Sequence, residues 1–202
     1  MSDRFEKSMQ YGRSMVEMLG VLSIMGILTI GGIAGYSKAM MQYKINKAAD
    51  QITQIVSGLR MLYSTQDDYG TTISNAILKK GHIVPDEMWE SDNLINPFAG
   101  SVSIEPSGKK AINDNKAFVI SYSGLPKEAC MALATYDWGS GSSSGLIALS
   151  VGTSITNQVK GCQGAEDSAI ACPGGSSLSV PMPVIKAANK CTEGSTINIK
   201  FF

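Results

Sequence analysis

The chain has 202 residues, 17 basic and 17 acidic side chains and a formal net charge of zero. That length supports one domain with a real core. The balance argues against a nucleic-acid binder, which carries a basic excess, and leaves copies of the chain free to approach one another. Residues 1–13, MSDRFEKSMQYGR, are polar. From Met18 to Ser37 there is then no charge for 20 residues. That is long enough to cross a hydrocarbon core of about 30 Å as a helix. Glu17 stands at the head of this span, where a carboxylate costs a few kcal/mol unless paired or solvated. Ser37-Lys38-Ala39 is a poor secretory cleavage site, so the apolar segment is expected to be retained.

The helical pattern continues past the apolar span. Ile45, Ala48, Ala49, Ile52, Ile55, Val56, Leu59, Leu62 and Tyr63 recur at spacings of three and four, with polar residues between them. One helix from about Ser14 to Ser64 is predicted, roughly 75 Å long. A helix of that length exceeds a domain of this size, so its first half is expected to protrude. Gly31 and Gly35 have a small-xxx-small spacing that permits close helix approach, and a bend at 31–35 in an assembled state is expected.

After Tyr63 the pattern weakens. Residues 64–116 read as mostly irregular, with a short helix around Thr72–Lys80 and a turn at Asn96-Pro-Phe-Ala-Gly100. Strands are predicted at Ala117–Tyr122, Leu146–Val151, Ser154–Val159 and Thr196–Phe202, the last with Ile197, Ile199 and Phe201 on one face. A helix is predicted at Pro126–Tyr136 and one or two helical turns at Val184–Lys190. The order gives an α+β fold: a long protruding N-terminal helix whose second half packs on an antiparallel or mixed β-sheet. The organisation expected is 1–12 as leader, 13–37 as the transmembrane half of the helix, 38–64 as its amphipathic half, and 65–202 as the globular domain.

Four cysteines, Cys130, Cys162, Cys172 and Cys191, lie behind a segment able to carry them out of the cytoplasm. They read first as two disulfides with three possible pairings. No Cys-x-x-Cys occurs and His82 is the sole histidine, so a metal centre is not expected. Gly141-x-Ser143-x-Gly145 matches a nucleophile elbow literally, but it lies in a Gly/Ser tract with no histidine downstream. Trp89 and Trp138 read as core or shoulder residues and His82 as a surface residue. The acidic pairs lack the spacing of a calcium loop. No cofactor and no enzymatic activity are expected.

Gly12-Arg-Ser-Met-Val-Glu17 followed by an apolar run resembles the processing site of type IV prepilins. The resemblance implies cleavage by a prepilin peptidase after Gly12, a mature chain beginning at Arg13 whose terminal amine is methylated, and Glu17 pairing with the terminal amine of a neighbouring copy. The family usually places a hydrophobic residue where Arg13 stands. Asn115–Cys130 and the turn at Asn96–Gly100 are similar to stretches of type IVb major pilins. That resemblance implies a Cys130–Cys191 disulfide, with Cys162–Cys172 as a further local pair. It also implies a homopolymer, built by pilus assembly machinery from an inner-membrane pool with a periplasmic globular domain, and ending as an extracellular pilus. Adhesion, aggregation or conjugative contact are the roles implied. Two other readings stand beside it: a minor pilin or secretion pseudopilin that primes assembly or carries a tip site, and a membrane-anchored domain that never polymerises.

Overall fold

The computed structural model describes residues 14–108, 115–139, 145–152, 154–155, 170–171 and 181–202. The chain forms two units, Met1–Gln42 and Tyr43–Phe202. Within the first, the described residues after Ser14 belong to helix α1, Met15–Leu62, which runs without a break through Gly31–Gly35. No proline interrupts it, and no residue from 14 to 39 is buried.

In the second unit α1 presents Ile45, Ala48, Ala49, Ile52, Ile55, Val56 and Leu59 as a buried stripe. This is the apolar face that the three-four spacing places on one side of a helix. From Ala48 onward it joins one core with Phe118, Ile120 and Tyr122, and with Ile197, Ile199 and Phe201. Burying each large side chain of this kind contributes about 1.5–3 kcal/mol relative to leaving it in water. Beyond α1 come α2 (Asn75–Lys80), a 3₁₀ turn (Asp86–Met88), then β1 (Trp89–Glu90), β2 (Asn93–Ile95), β3 (Ser101–Ser107) and β4 (Ala117–Leu125). Next are α3 (Lys127–Ala134), β5 (Leu146–Val151), β6 (Ile170–Ala171), α4 (Val184–Lys190) and β7 (Ser195–Phe201). The sheet order is β1-β2-β3-β4-β7-β5-β6, and every pairing is antiparallel.

Local chemistry explains several boundaries. The Ser74 hydroxyl accepts from the Ile77 amide and caps α2. Pro126 and Pro183 precede α3 and α4, where a missing N–H costs nothing. Asn96 is buried and organises the turn between β2 and β3. Its Oδ1 accepts from Phe98 N at 2.9 Å and Gly100 N at 3.0 Å, and its Nδ2 donates to Ser123 O at 2.7 Å. A Cβ at Gly100 would run into the Ser123 carbonyl, so β4 passes too close for any larger residue.

The structure departs from the sequence expectations in four places. Residues 64–116 contain three strands where an irregular region is expected. Ser154 and Ile155 carry no strand, and 156–159 lie outside the described residues. The two-residue β6 is not anticipated at all. The polar residues Asn198 and Lys200 of β7 are buried along with Ile197, Ile199 and Phe201. The reason is position. β7 lies between β4 and β5, and its second face belongs to a small cluster of Val119, Ala148 and Ile155. There Asn198 Nδ2 donates to Ser150 Oγ at 3.3 Å.

Candidate assembly helix and its anchorage

Glu17 lies in the first turn of α1 and is exposed. A carboxylate there faces the partial positive charge of the helix N-terminus. It is the one charged residue between Ser14 and Ser37. Around it the helix is apolar on every side: Met15 is 86% exposed, Ile27 72% and Ile30 73%. The serine and threonine hydroxyls in this segment do not face outward as open donors. Ser23, Thr29 and Ser37 donate to the carbonyls of Leu19, Met25 and Ile33, each four residues back. That arrangement suits a hydrocarbon surrounding, in which an unpaired polar group is costly. A Cβ added at Gly20, Gly26, Gly31, Gly32 or Gly35 would meet nothing within 4 Å. Among the described residues, therefore, no contact demands glycine at those positions. The segment carries no nucleophile or acid–base pair; what it offers is an apolar surface that needs lipid or protein around it. Gly12, Arg13, Cys162 and Cys172 lie outside the described residues.

In the second unit the amphipathic half of α1 is tied down along its length. Lys47 Nζ lies 2.7 Å from Glu87 Oε2, and Gln51 Nε2 donates to Glu87 Oε1 at 2.9 Å. The hydrogen bonds from Lys47 and Gln51 hold the Glu87 carboxyl below its ordinary range, and the Glu87 bond raises Lys47. Near the helix end, Arg60 Nε donates to the backbone oxygen of Phe202 at 2.9 Å. Its guanidinium sits 5.7 Å from the centre of the Phe201 ring. Burial lowers the Arg60 pKa from its usual value and raises that of Tyr69. Gly145 has φ +71°, and a Cβ there would strike the Arg60 guanidinium.

Cys130, on α3, is bonded to Cys191, the residue after α4, with Cα atoms 5.7 Å apart and a sequence separation of 61. In the chain-entropy picture a closed loop of that size stabilises by about 4 kcal/mol. The bond ties the helix that follows β4 to the entry of β7. Trp138 is buried and donates from Nε1 to Leu133 O at 2.9 Å, whereas Trp89 is half-buried and His82 exposed. Sequence reasoning missed Glu87, Gln51 and Arg60 as anchors. A single glutamate in a loop and a polar residue within a helix give no signal until the fold brings them together.

The family described as PilS N terminal matches residues 42–185. The chain belongs to this family of type IV pilins. Among curated relatives, the major structural subunit of bundle-forming pilus from Escherichia coli O127:H6 is 29% identical over 143 residues, 69% of each chain. The toxin coregulated pilin of Vibrio cholerae serotype O1 is 26% identical over 138 residues, 64% of this chain and 59% of that protein. The crystal structure of TcpA, a type IV pilin from the Vibrio cholerae El Tor biotype, superposes with a TM-score of 0.50 at 19% identity. It covers 79% of this chain and 99% of its own. The long N-terminal helix and antiparallel sheet of the present pilin match that fold.

Proposed function

We propose that this pilin is the major structural subunit of a type IVb pilus and polymerises through the first half of α1. The observation that carries the reading is the exposed, all-round apolar segment from Met15 to Gly35 with its single charge at Glu17. Such a surface is unstable in water and requires lipid before assembly and other copies after it. The two relatives described above are named a major structural subunit of bundle-forming pilus and a toxin coregulated pilin, which supports the polymer. In this reading the prepilin peptidase removes residues 1–12 after Gly12. Arg13 becomes the methylated terminus, and its amine pairs with Glu17 of a neighbouring copy. Burying that carboxylate in a filament core without a partner would be strongly unfavourable, so pairing sets the axial register. The subunit waits in the inner membrane with residues 65–202 in the periplasm, then leaves as part of an extracellular fibre serving adhesion, aggregation or conjugative contact.

The intact mass of protein extracted from membranes or sheared fibres tests processing. Loss of residues 1–12, with or without one methyl group, supports the reading; a mature chain that retains Met1 overturns it. Glu17→Ala tests register. The expected outcome is a stable, membrane-held monomer that does not assemble. Normal fibres from that variant would end the pairing argument.

A further inference from the structure

A recess of about 410 Å3 opens on the second unit between α2 and the β1–β2 hairpin. It is lined by Asn75, Ala76, Lys79, Lys80, Trp89 and Asp92. Its volume lies within the range of small-molecule sites. Its walls are fixed to each other: Asn75 Nδ2 donates to Asp92 O at 2.8 Å, and the hairpin pairs Trp89 with Leu94. Trp89 packs one side against the core and is half-buried, leaving an aromatic surface on the recess. Over that ring stands Lys79 Nζ, 5.5 Å from its centre and 3.6 Å from Asp92 Oδ1. Lys80 lies beside it and is exposed.

We propose that this recess binds a carboxylated sugar, a sialic acid residue of a glycan. The chemistry assigns each group a role. The C–H face of a pyranose ring is apolar and weakly positive, so it packs on the negative face of the Trp89 indole, in the place where the exposed Lys79 ammonium now stands and from which it turns to the ligand carboxylate. The ligand carboxylate takes Lys79 and Lys80 as charge-assisted donors. Asn75 and the Asp92 carboxylate bond ring hydroxyls, the second strictly as an acceptor. Asp92 also selects. Its side chain is 95% exposed, and it repels a compact dianion such as phosphate while accepting from a hydroxyl. An aromatic surface, two cations and one carboxylate together thus favour a ligand that is hydroxylated, singly charged and flat on one face.

The test uses the full chain in detergent micelles with ¹⁵N-labelled indoles. The Trp89 signal is assigned by its loss in Trp89→Phe, and the probes are 3′-sialyllactose, lactose and inorganic phosphate. A saturable shift of Trp89 with sialyllactose is expected, with Trp138 unmoved. Binding of lactose and of phosphate is expected to be at least tenfold weaker. Lys79→Glu should weaken sialyllactose binding tenfold or more. Lys79 is a surface residue, and an unchanged Trp138 signal reports that this variant is folded. The proposal is overturned by no saturable shift, by equal shifts from lactose or phosphate, or by Lys79→Glu binding as the parent does. None of these outcomes bears on whether the chain polymerises.

Discussion

Replacing Asn96 by alanine removes three hydrogen bonds at once, from a side chain that is 4% exposed. At about 1 kcal/mol net for each, the cost is about 3 kcal/mol. With a urea dependence of about 2 kcal/mol per molar, the unfolding midpoint falls by about 1.5 M. Asn96→Asp is the sharper probe. It keeps both acceptor contacts, to Phe98 N and Gly100 N, and changes only the donor. An oxygen then faces the Ser123 carbonyl at the position now occupied by Nδ2, 2.7 Å away. Two acceptors repel at that distance, and the carboxylate is buried, so aspartate should cost at least as much as alanine at neutral pH. Tryptophan fluorescence during urea titration reads the result, because Trp138 is buried in the same core. An aspartate variant within about 0.5 kcal/mol of the parent would refute the claim that the Nδ2–Ser123 bond joins the turn to β4.

Two further outcomes follow from the anchors on α1 and the disulfide. Cys130→Ser with Cys191→Ser should lower stability by about 4 kcal/mol, which is a large share of the total for a domain of this kind. The denaturant midpoint of the reduced parent should be no higher than that of the variant, and a variant as stable as the oxidised parent would contradict the estimate. The Lys47–Glu87 pair gives a pH signature. Glu87 titrates below its ordinary 4.5 in the folded chain, so its contribution is present above that value and is lost as pH falls through the depressed one. Lys47 titrates above its ordinary 10.5, so its contribution is complete below that value and is lost as pH rises through the raised one. Thermal melts of Glu87→Gln should show a smaller loss on acidification than the parent. The difference should be modest, since the side chains are 30% and 47% exposed.

The long helix was legible because its two signals are local: an uninterrupted apolar run and then a three-four stripe. The regions of β4, β5 and β7 were legible for the same reason, as were α3 and α4 with their leading prolines. The strand β3 was not recognised, although Val102 and Ile104 alternate with Ser101, Ser103 and Glu105 just as the buried and exposed positions do. Pro106 obscured it. That residue sits beyond the part of β3 paired with β2, where one edge is open and a missing N–H is tolerated. The two- and three-residue strands β1, β2 and β6 have no pattern of their own and exist through pairing. Burial of Lys200 was equally invisible, because a lysine alternating with isoleucine and phenylalanine reads as the solvent side of a strand. Glu17 stands out in the sequence through the cost of a charge beside an apolar run, and its pairing role belongs to the proposal above. The clamp of Gln51 and Lys47 on Glu87 was not legible, since it joins residues about forty positions apart.

The placement of β7 has a consequence for how the molecule comes into being. In chain order it follows every other strand of the sheet, yet it lies between β4 and β5. A chain threading across a membrane from its N-terminal end would deliver β4 and β5 first, each with an unsatisfied ladder edge facing the other across a vacant slot. Closure waits until residues 195–201 emerge, and Cys191 arrives only just ahead of them. Throughout that interval the half-made sheet is a template for pairing with any extended segment, including one from another nascent copy. The long separation between β4 and its final partner makes the step slow. For a chain exported in this way, formation of the Cys130–Cys191 bond and completion of the sheet would be bound to one late event.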